Sequence, residues 1–84
     1  MDILITFEST QDAMNIEKQA KDHQTKARLI AIPERISAGC GLALKTKEDH
    51  LADVRSWLAE QAIEDASIYQ IRLEDGHPKY QAID

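Results

Sequence analysis

The sequence has one cysteine, two prolines, three glycines and few aromatic residues, namely one Phe, one Trp and two Tyr. A single cysteine cannot form an intramolecular disulfide, so a cysteine-stapled secreted mini-protein is excluded and the cytoplasm is the expected compartment. Ten Lys and Arg against fifteen Asp and Glu give a net charge of −5. Because the chain lacks a basic stripe interleaved with aromatics, nucleic acid is not an expected partner.

Long hydrophobic runs are also missing. No stretch approaches the roughly 20 apolar residues that cross a bilayer, and Met1-Asp2 lacks the basic opening of a signal peptide. We therefore expect neither membrane association nor export. The 84 residues, of which 43% are hydrophobic and 30% charged, are instead typical of one small folded domain with a single core.

The period of the apolar residues predicts the secondary structure. Four segments have the composition of strands: 3–7, 27–32, 42–46 and 67–73. Two segments carry an apolar stripe at helical spacing: 10–22 and 48–61. Ser9 and Thr46 precede these two segments, and we predict that they or their immediate neighbours cap the helices.

The order βαββαβ predicts an α+β fold, a ferredoxin-like sandwich with a four-stranded antiparallel sheet and two helices on one face. Residues 1–73 are assigned to this single domain. Residues 74–84 contain the turn signal Asp75-Gly76 and then Pro78, so they are expected to be a C-terminal tail or an edge strand. Unrelated functions share this architecture, so function must be argued from a site.

Cys40 is the candidate site. It is the one strongly nucleophilic side chain in the sequence, and Gly39 and Gly41 on either side carry no side chain that would shield the sulfur. The alternative is that Cys40 is a small apolar residue buried at the edge of a strand, which is the commonest place for a free cysteine. The residue pattern leaves both interpretations open.

A reactive cysteine also needs groups that stabilise its thiolate. The backbone N–H groups of the turn from Ser37 to Gly41 are expected to converge as an anion-binding nest. Arg35 or Lys45 is the expected source of nearby positive charge. Metal ions are not expected, because the three histidines, at positions 23, 50 and 77, lack ligand spacing.

The segment from Pro33 to Lys45, together with Ile5-Thr6-Phe7 and Ser9-Thr10 before a helix, resembles the selenium/sulfur (Se/S) carrier protein-like family of small bacterial proteins. The resemblance covers most of residues 2–73. The family pattern is a Pro-Arg-rich loop, then Ile-Ser, then Cys-Gly before an apolar strand that ends in Lys or Arg. Four residues fall on matching positions: Ser37, Cys40, Gly41 and Lys45.

The resemblance implies a carrier and not an enzyme. The Cys40 thiolate would accept sulfane sulfur or selenium as a persulfide or selenopersulfide and pass it to an acceptor protein. The expected partners are that acceptor and a donor such as a cysteine desulfurase, and no cofactor is implied.

The alternative function is a small regulatory or interaction module that forms a homodimer through its sheet and binds a small anion or ligand at the glycine–cysteine loop. Trp57 and Tyr69 are candidates for such an interface, although their spacing also suits core packing.

Overall fold

The computed structural model describes residues 1–37 and 39–83. The chain forms, in order, β1 (Asp2–Thr6), α1 (Thr10–Asp22), β2 (Ala27–Ala31), β3 (Leu42–Lys47), α2 (Leu51–Glu60), β4 (Ser67–Glu74) and β5 (His77–Ala82). A single 3-10 turn, Glu48–His50, joins β3 to α2. Within the described part of the chain, no helix is long and apolar enough to cross a membrane.

β1 is the central strand of the sheet. Its apolar run is buried on both faces, with Ile3, Leu4 and Ile5 each at most 1% exposed, as expected for a continuous hydrophobic strand. β1 pairs antiparallel with β3 on one side and with β4 on the other. The complete order is β2-β3-β1-β4-β5, with every pair of neighbours antiparallel.

The sheet has five strands, so the predicted four-stranded sheet is wrong, whereas the α+β class and the two helices are confirmed. The additional strand follows from a tight hairpin. Asp75 and Gly76 both adopt positive φ, 53° and 78°, the conformation that favours Asp-Gly in two-residue β-turns. This turn brings His77 opposite Glu74 and pairs β5 with β4.

Both helices pack on the same face of the sheet, which we call the helix-covered face. Their buried side chains form the main core with residues of β1, β3 and β4. The helical members of this core are Ala13, Ile16, Ala20, Val54, Trp57 and Leu58. Their spacing of three and four residues places them on one side of each helix, which is why the period identified both helices.

The two predicted helix caps differ in outcome. Ser9 is confirmed as the N-cap of α1, because its Oγ accepts from the backbone N–H of Asp12 at 3.4 Å. For the second helix an immediate neighbour, Lys47, holds the N-cap position of the 3-10 turn without a side-chain hydrogen bond, so only the part of the prediction that names Thr46 itself is wrong. Thr46 lies inside β3 and its hydroxyl donates to the Lys26 carbonyl at 2.8 Å, because β3 continues to Lys47 opposite Asp2. No side chain caps the 3-10 turn or α2.

The other side of the sheet, the open face, carries a smaller cluster. Leu4 and Ala43 are completely buried there, beneath Ile36 from the residues between β2 and β3. Farther from that cover the face is more accessible, and Leu73 is 78% exposed. The two faces therefore differ in what covers them, two helices on one and part of a loop on the other.

Candidate functional site

Cys40 lies between two antiparallel neighbours, β2 and β3. The N–H of Ile32 donates to the Gly41 carbonyl at 3.0 Å and extends the pairing by one step beyond the strands. The N–H of Ile36 donates to the Pro33 carbonyl at 3.0 Å and forms a turn. Proline at 33 fits the start of this turn, since it has no N–H to contribute to the ladder. We refer to the described residues 32–37 and 39–41 as the cysteine loop.

The two glycines beside Cys40 serve different purposes. Gly41 has φ +71° with no neighbouring atom near the position of a Cβ, so glycine is favoured there by its conformation. Gly39 is required by close approach, because a Cβ would lie 2.9 Å from the backbone carbonyl oxygen of Glu8. The N–H of Gly39 donates to the Glu8 carboxylate at 2.7 Å. The cysteine loop is thus held against the end of β1.

Cys40 is half-buried. Its side chain packs against the main core beneath the helices, and its Sγ–H donates to the Leu42 carbonyl at 3.4 Å. This environment combines the two interpretations of Cys40, since the residue packs against the main core and yet is partly exposed to solvent as a whole. To act as a nucleophile, the sulfur has to lose the proton that it donates to Leu42.

The cation and hydroxyl predicted near the sulfur lie on the open face. Arg35 and Ser37 are exposed and line a groove of about 270 Å³ together with Tyr69 and Tyr80. Cys40 packs toward the helix-covered face. The structure therefore does not gather the side chains of Arg35 and Ser37 around the thiol.

Lys45 is farther away. It lies five residues after Cys40, about 16 Å along an extended strand, and its ammonium is 3.7 Å from the carboxylate of Asp2. Lys47 also binds this carboxylate. The hydrogen bond from Lys47, aided by the attraction of both ammonium groups, holds the pKa of Asp2 below its ordinary value of 3.8. Lys45 thus interacts with an acid at the opposite end of β3 from the thiol.

One N–H of the predicted anion-binding nest, that of Gly39, binds a carboxylate of the same chain. The carboxylate is that of Glu8, and Ala38, another member of the nest, lies outside the described residues. Sequence reasoning did not identify Glu8 as part of this site. The signal is the register of the sheet: Thr6 pairs with Ala43, so the residues just after β1 adjoin those just before β3.

No metal-binding cluster accompanies Cys40 in the described part of the chain. Residues 1–37 and 39–83 contain no group of three or more His, Cys, Asp or Glu side chains that could hold a metal ion. His23 stacks at 5.2 Å on the ring of Trp57, which is buried in the main core. Cys40 is therefore the residue on which a chemical role for this site depends.

A protein-family model matches most of the chain. The model of the family described as "Putative Se/S carrier protein-like" matches residues 2–70, which include β1, both helices, β3 and the cysteine loop. No curated protein and no solved structure matches the chain. The matched region ends before β5. This strand lies in the segment for which the sequence predicted either a C-terminal tail or an edge strand.

Proposed function

Because the chain belongs to the Se/S carrier protein-like family, as its sequence resemblance predicted, we propose that it carries sulfur or selenium on the sulfur of Cys40. The observation that carries the proposal is the family match over most of the chain, a region that contains its one cysteine. Covalent sulfur transfer needs a thiolate nucleophile. Cys40 is the one residue that can supply it.

The chemistry is an exchange at the terminal atom of a donor persulfide. The Cys40 thiolate attacks the outer sulfur of R–S–SH, a new S–S bond forms, and the donor S–S bond breaks. The leaving thiolate R–S⁻ keeps the bonding electron pair and is then protonated. Cys40 becomes a persulfide with no net oxidation. Selenium follows the same course when it is the terminal atom of the donor.

The second half of the cycle is transfer to an acceptor. A thiolate of the acceptor attacks the terminal atom on Cys40, and the Cys40 thiolate leaves. No resolving cysteine is needed, because the bond is broken by the acceptor and not by a second thiol of this chain. The protein therefore carries its cargo without turnover of its own and without a cofactor.

The position of Cys40 supports this role in two ways. The residue is partly exposed, as a residue that receives cargo from a donor has to be. Its contact with the main core limits the freedom of the side chain, so the cargo would be presented in one place. The partners of such a carrier are a sulfur or selenium donor, such as a cysteine desulfurase, and an acceptor protein in the reducing cytoplasm.

Intact-mass spectrometry tests the proposal. The full chain is incubated with a cysteine desulfurase and cysteine, or with sodium polysulfide as a small donor, and then desalted. We expect a mass gain of one sulfur atom that cyanide removes as thiocyanate. Cys40→Ser is the matched control, and it should fold normally and gain nothing. A native chain that resists both the donors and alkylation until it is unfolded would show that Cys40 is a core residue.

One observation favours the second candidate function, an anion-binding interaction module. The cysteine loop binds a carboxylate through the Gly39 N–H at 2.7 Å, although that carboxylate comes from its own chain. If the loop binds anions reversibly and Cys40 accepts no sulfur, this function replaces the carrier. The same mass measurement separates the two.

A further inference from the structure

Two adjoining grooves cross the open face of the sheet. The first, which we call the cationic groove, has a volume of about 440 Å³ and is lined by the starts of β1 and β2 and the end of β3. Its charged residues are Asp2, Lys26, Arg28, Lys45 and Lys47. The second, the apolar groove, has a volume of about 470 Å³ and shares Asp2 and Lys45 with the first. Together they form one continuous surface.

The net charge of the cationic groove is positive, opposite in sign to that of the whole chain. The groove holds four of the ten cations but one of the fifteen acids, in a chain of net charge −5. Asp2 is shared by Lys45 and Lys47. Within residues 1–37 and 39–83, neither Lys26 nor Arg28 has a carboxylate within ion-pair distance. The groove therefore has positive charge available for an anionic group from outside.

The apolar groove exposes hydrophobic side chains beside this charge. Leu73 is 78% exposed, and it lines this groove together with Ile71, Pro78 and Tyr80, so the apolar surface is contiguous. Ile71 and Tyr80 lie opposite each other in the β4–β5 pair and are half-buried, and Pro78 lies opposite Leu73. A ligand that covers both grooves must offer apolar groups a few ångströms from acidic ones.

We propose that the open face docks a segment of a partner protein in which acidic residues alternate with apolar residues. The acidic side chains would contact Arg28, Lys45 and their neighbours, and the apolar side chains would cover Leu73 and Tyr80. Charge complementarity selects this occupant. The surface goes beyond the proposed function, and it lies on the face away from Cys40, so a docked partner would leave the sulfur accessible.

A second copy of the chain suits this surface less well. Face-to-face contact would bring two sets of the same four cations together, which is unfavourable. Strand addition at the sheet edges is also hindered. On β2 the Glu17 carboxylate accepts the N–H of Leu29 at 3.3 Å, and on β5 Pro78 has no N–H to donate.

Nucleic acid is also a poorer match for the surface formed by the two grooves. Phosphates would meet the cations, but the sugar and bases would have to cover Leu73 and Pro78, which offer no hydrogen bonds. The molecule as a whole, at −5, repels a polyanion. A short acidic peptide carries less charge and supplies its own apolar groups.

The test uses synthetic peptides of about eight residues, long enough to span about 26 Å when extended. In the probe glutamate alternates with leucine, in one control lysine replaces glutamate, and in another serine replaces leucine. Titration of the full chain, followed by amide NMR shifts, should give binding of the glutamate–leucine peptide with shifts at residues 26–28, 45–47 and 71–73. Each control peptide should bind at least about tenfold more weakly.

Matched variants locate the site. Arg28→Glu and Lys45→Glu should each weaken binding of the glutamate–leucine peptide about tenfold, and Leu73→Ser about fivefold. Lys18→Glu makes the same charge change on the exposed side of α1 and should leave binding within about twofold. Arg28→Glu, Leu73→Ser and Lys18→Glu should accept sulfur from polysulfide like the native chain, so loss of docking and loss of the carrier function are distinguishable.

Three results would overturn the proposal. Equal weakening of peptide binding by Lys18→Glu and Lys45→Glu would show that the attraction is non-specific. A single-stranded oligonucleotide that binds more tightly than the peptide, with shifts at the same residues, would assign the surface to nucleic acid. A concentration-dependent dimer in sedimentation equilibrium that Leu73→Glu abolishes would assign it to a second copy.

Discussion

At one end of β3 the chain places an acid against the cysteine loop, and at the other end it gathers four cations around one acid. At the first end, Glu8 accepts the N–H of Gly39 at 2.7 Å. At the second, Asp2 is shared by Lys45 and Lys47. The strand that joins the two ends is six residues long. β3 is therefore long enough to separate the thiol of Cys40 from Lys45, which follows Cys40 in the sequence.

The comparison shows that the charge next to a functional residue comes from strand register more than from sequence proximity. Glu8 is far from Cys40 in sequence, yet β1 and β3 are paired, so Glu8 adjoins the cysteine loop. Lys45 is near Cys40 in sequence, but each strand residue advances about 3.3 Å. Hence the acid and not the lysine contacts the cysteine loop.

The largest predicted effect concerns the contact that holds the cysteine loop. Gly39→Ala places a Cβ against the Glu8 backbone, so we expect it to cost about 1–3 kcal/mol of unfolding free energy. Urea denaturation would measure this. Gly41→Ala is the matched control. It meets no neighbouring atom and carries only the strain of φ +71°, which is about 1 kcal/mol. Equal costs in the two variants would show that the loop does not contact Glu8 closely.

A smaller effect is predicted for the acid itself. Glu8→Gln keeps an oxygen that can accept the Gly39 N–H but replaces a charged acceptor by a neutral one. Charge-assisted hydrogen bonds are stronger than neutral ones, so we expect the variant to lose about 0.5–1 kcal/mol of unfolding free energy. Urea denaturation would measure the change.

The control for this prediction is Glu64→Gln, an equal change at an exposed acid in the segment between α2 and β4. It should leave the unfolding free energy within about 0.5 kcal/mol of the native value. A Glu8→Gln variant as stable as the native chain would mean that the charge of Glu8 does not strengthen its bond to the cysteine loop. Glu8→Ala, which removes the hydrogen bond as well, should cost more than Glu8→Gln.

The smallest predicted effect on stability concerns Asp2, the acid shared by Lys45 and Lys47. Because the pKa of Asp2 is lowered on folding, its ion pairs contribute stability above the ordinary value of 3.8, and that stability is lost as pH falls through the lower folded value. Asp2→Asn should therefore be less stable than the native chain at pH 7, by about 0.2–1 kcal/mol, as for exposed ion pairs. The unfolding free energies of the variant and the native chain should become equal in acid.

Thermal or urea unfolding at pH 7 and below pH 4 would measure this difference, with added salt as a control. Salt should reduce the difference at pH 7, since exposed charges are screened. A difference that persists unchanged in strong acid would attribute the effect of Asp2→Asn to something other than the ion pairs with Lys45 and Lys47.

Local pattern accounts for much of the fold. The apolar run at Ile3, Leu4 and Ile5 identified the central strand, and the helical spacing of Ala13 and Ile16 identified α1, because the period of burial is set by local backbone geometry. Ser9 was recognisable as a cap for the same reason. Thr46 was misjudged, since its hydroxyl is next to the α2 segment in sequence but pairing with β1 extends β3 beyond it.

The sequence by itself determined both helices, four of the five strands and the family, and it named Cys40 as the candidate, because each depends on residues that are neighbours along the chain. Only the tertiary structure decided what surrounds the sulfur and what β5 adds to the sheet. Glu8 reaches Gly39, and Arg35 and Lys45 lie away from Cys40, because pairing between distant segments sets which side chains meet. A local pattern specifies each strand but does not specify its register, and the register places the charges.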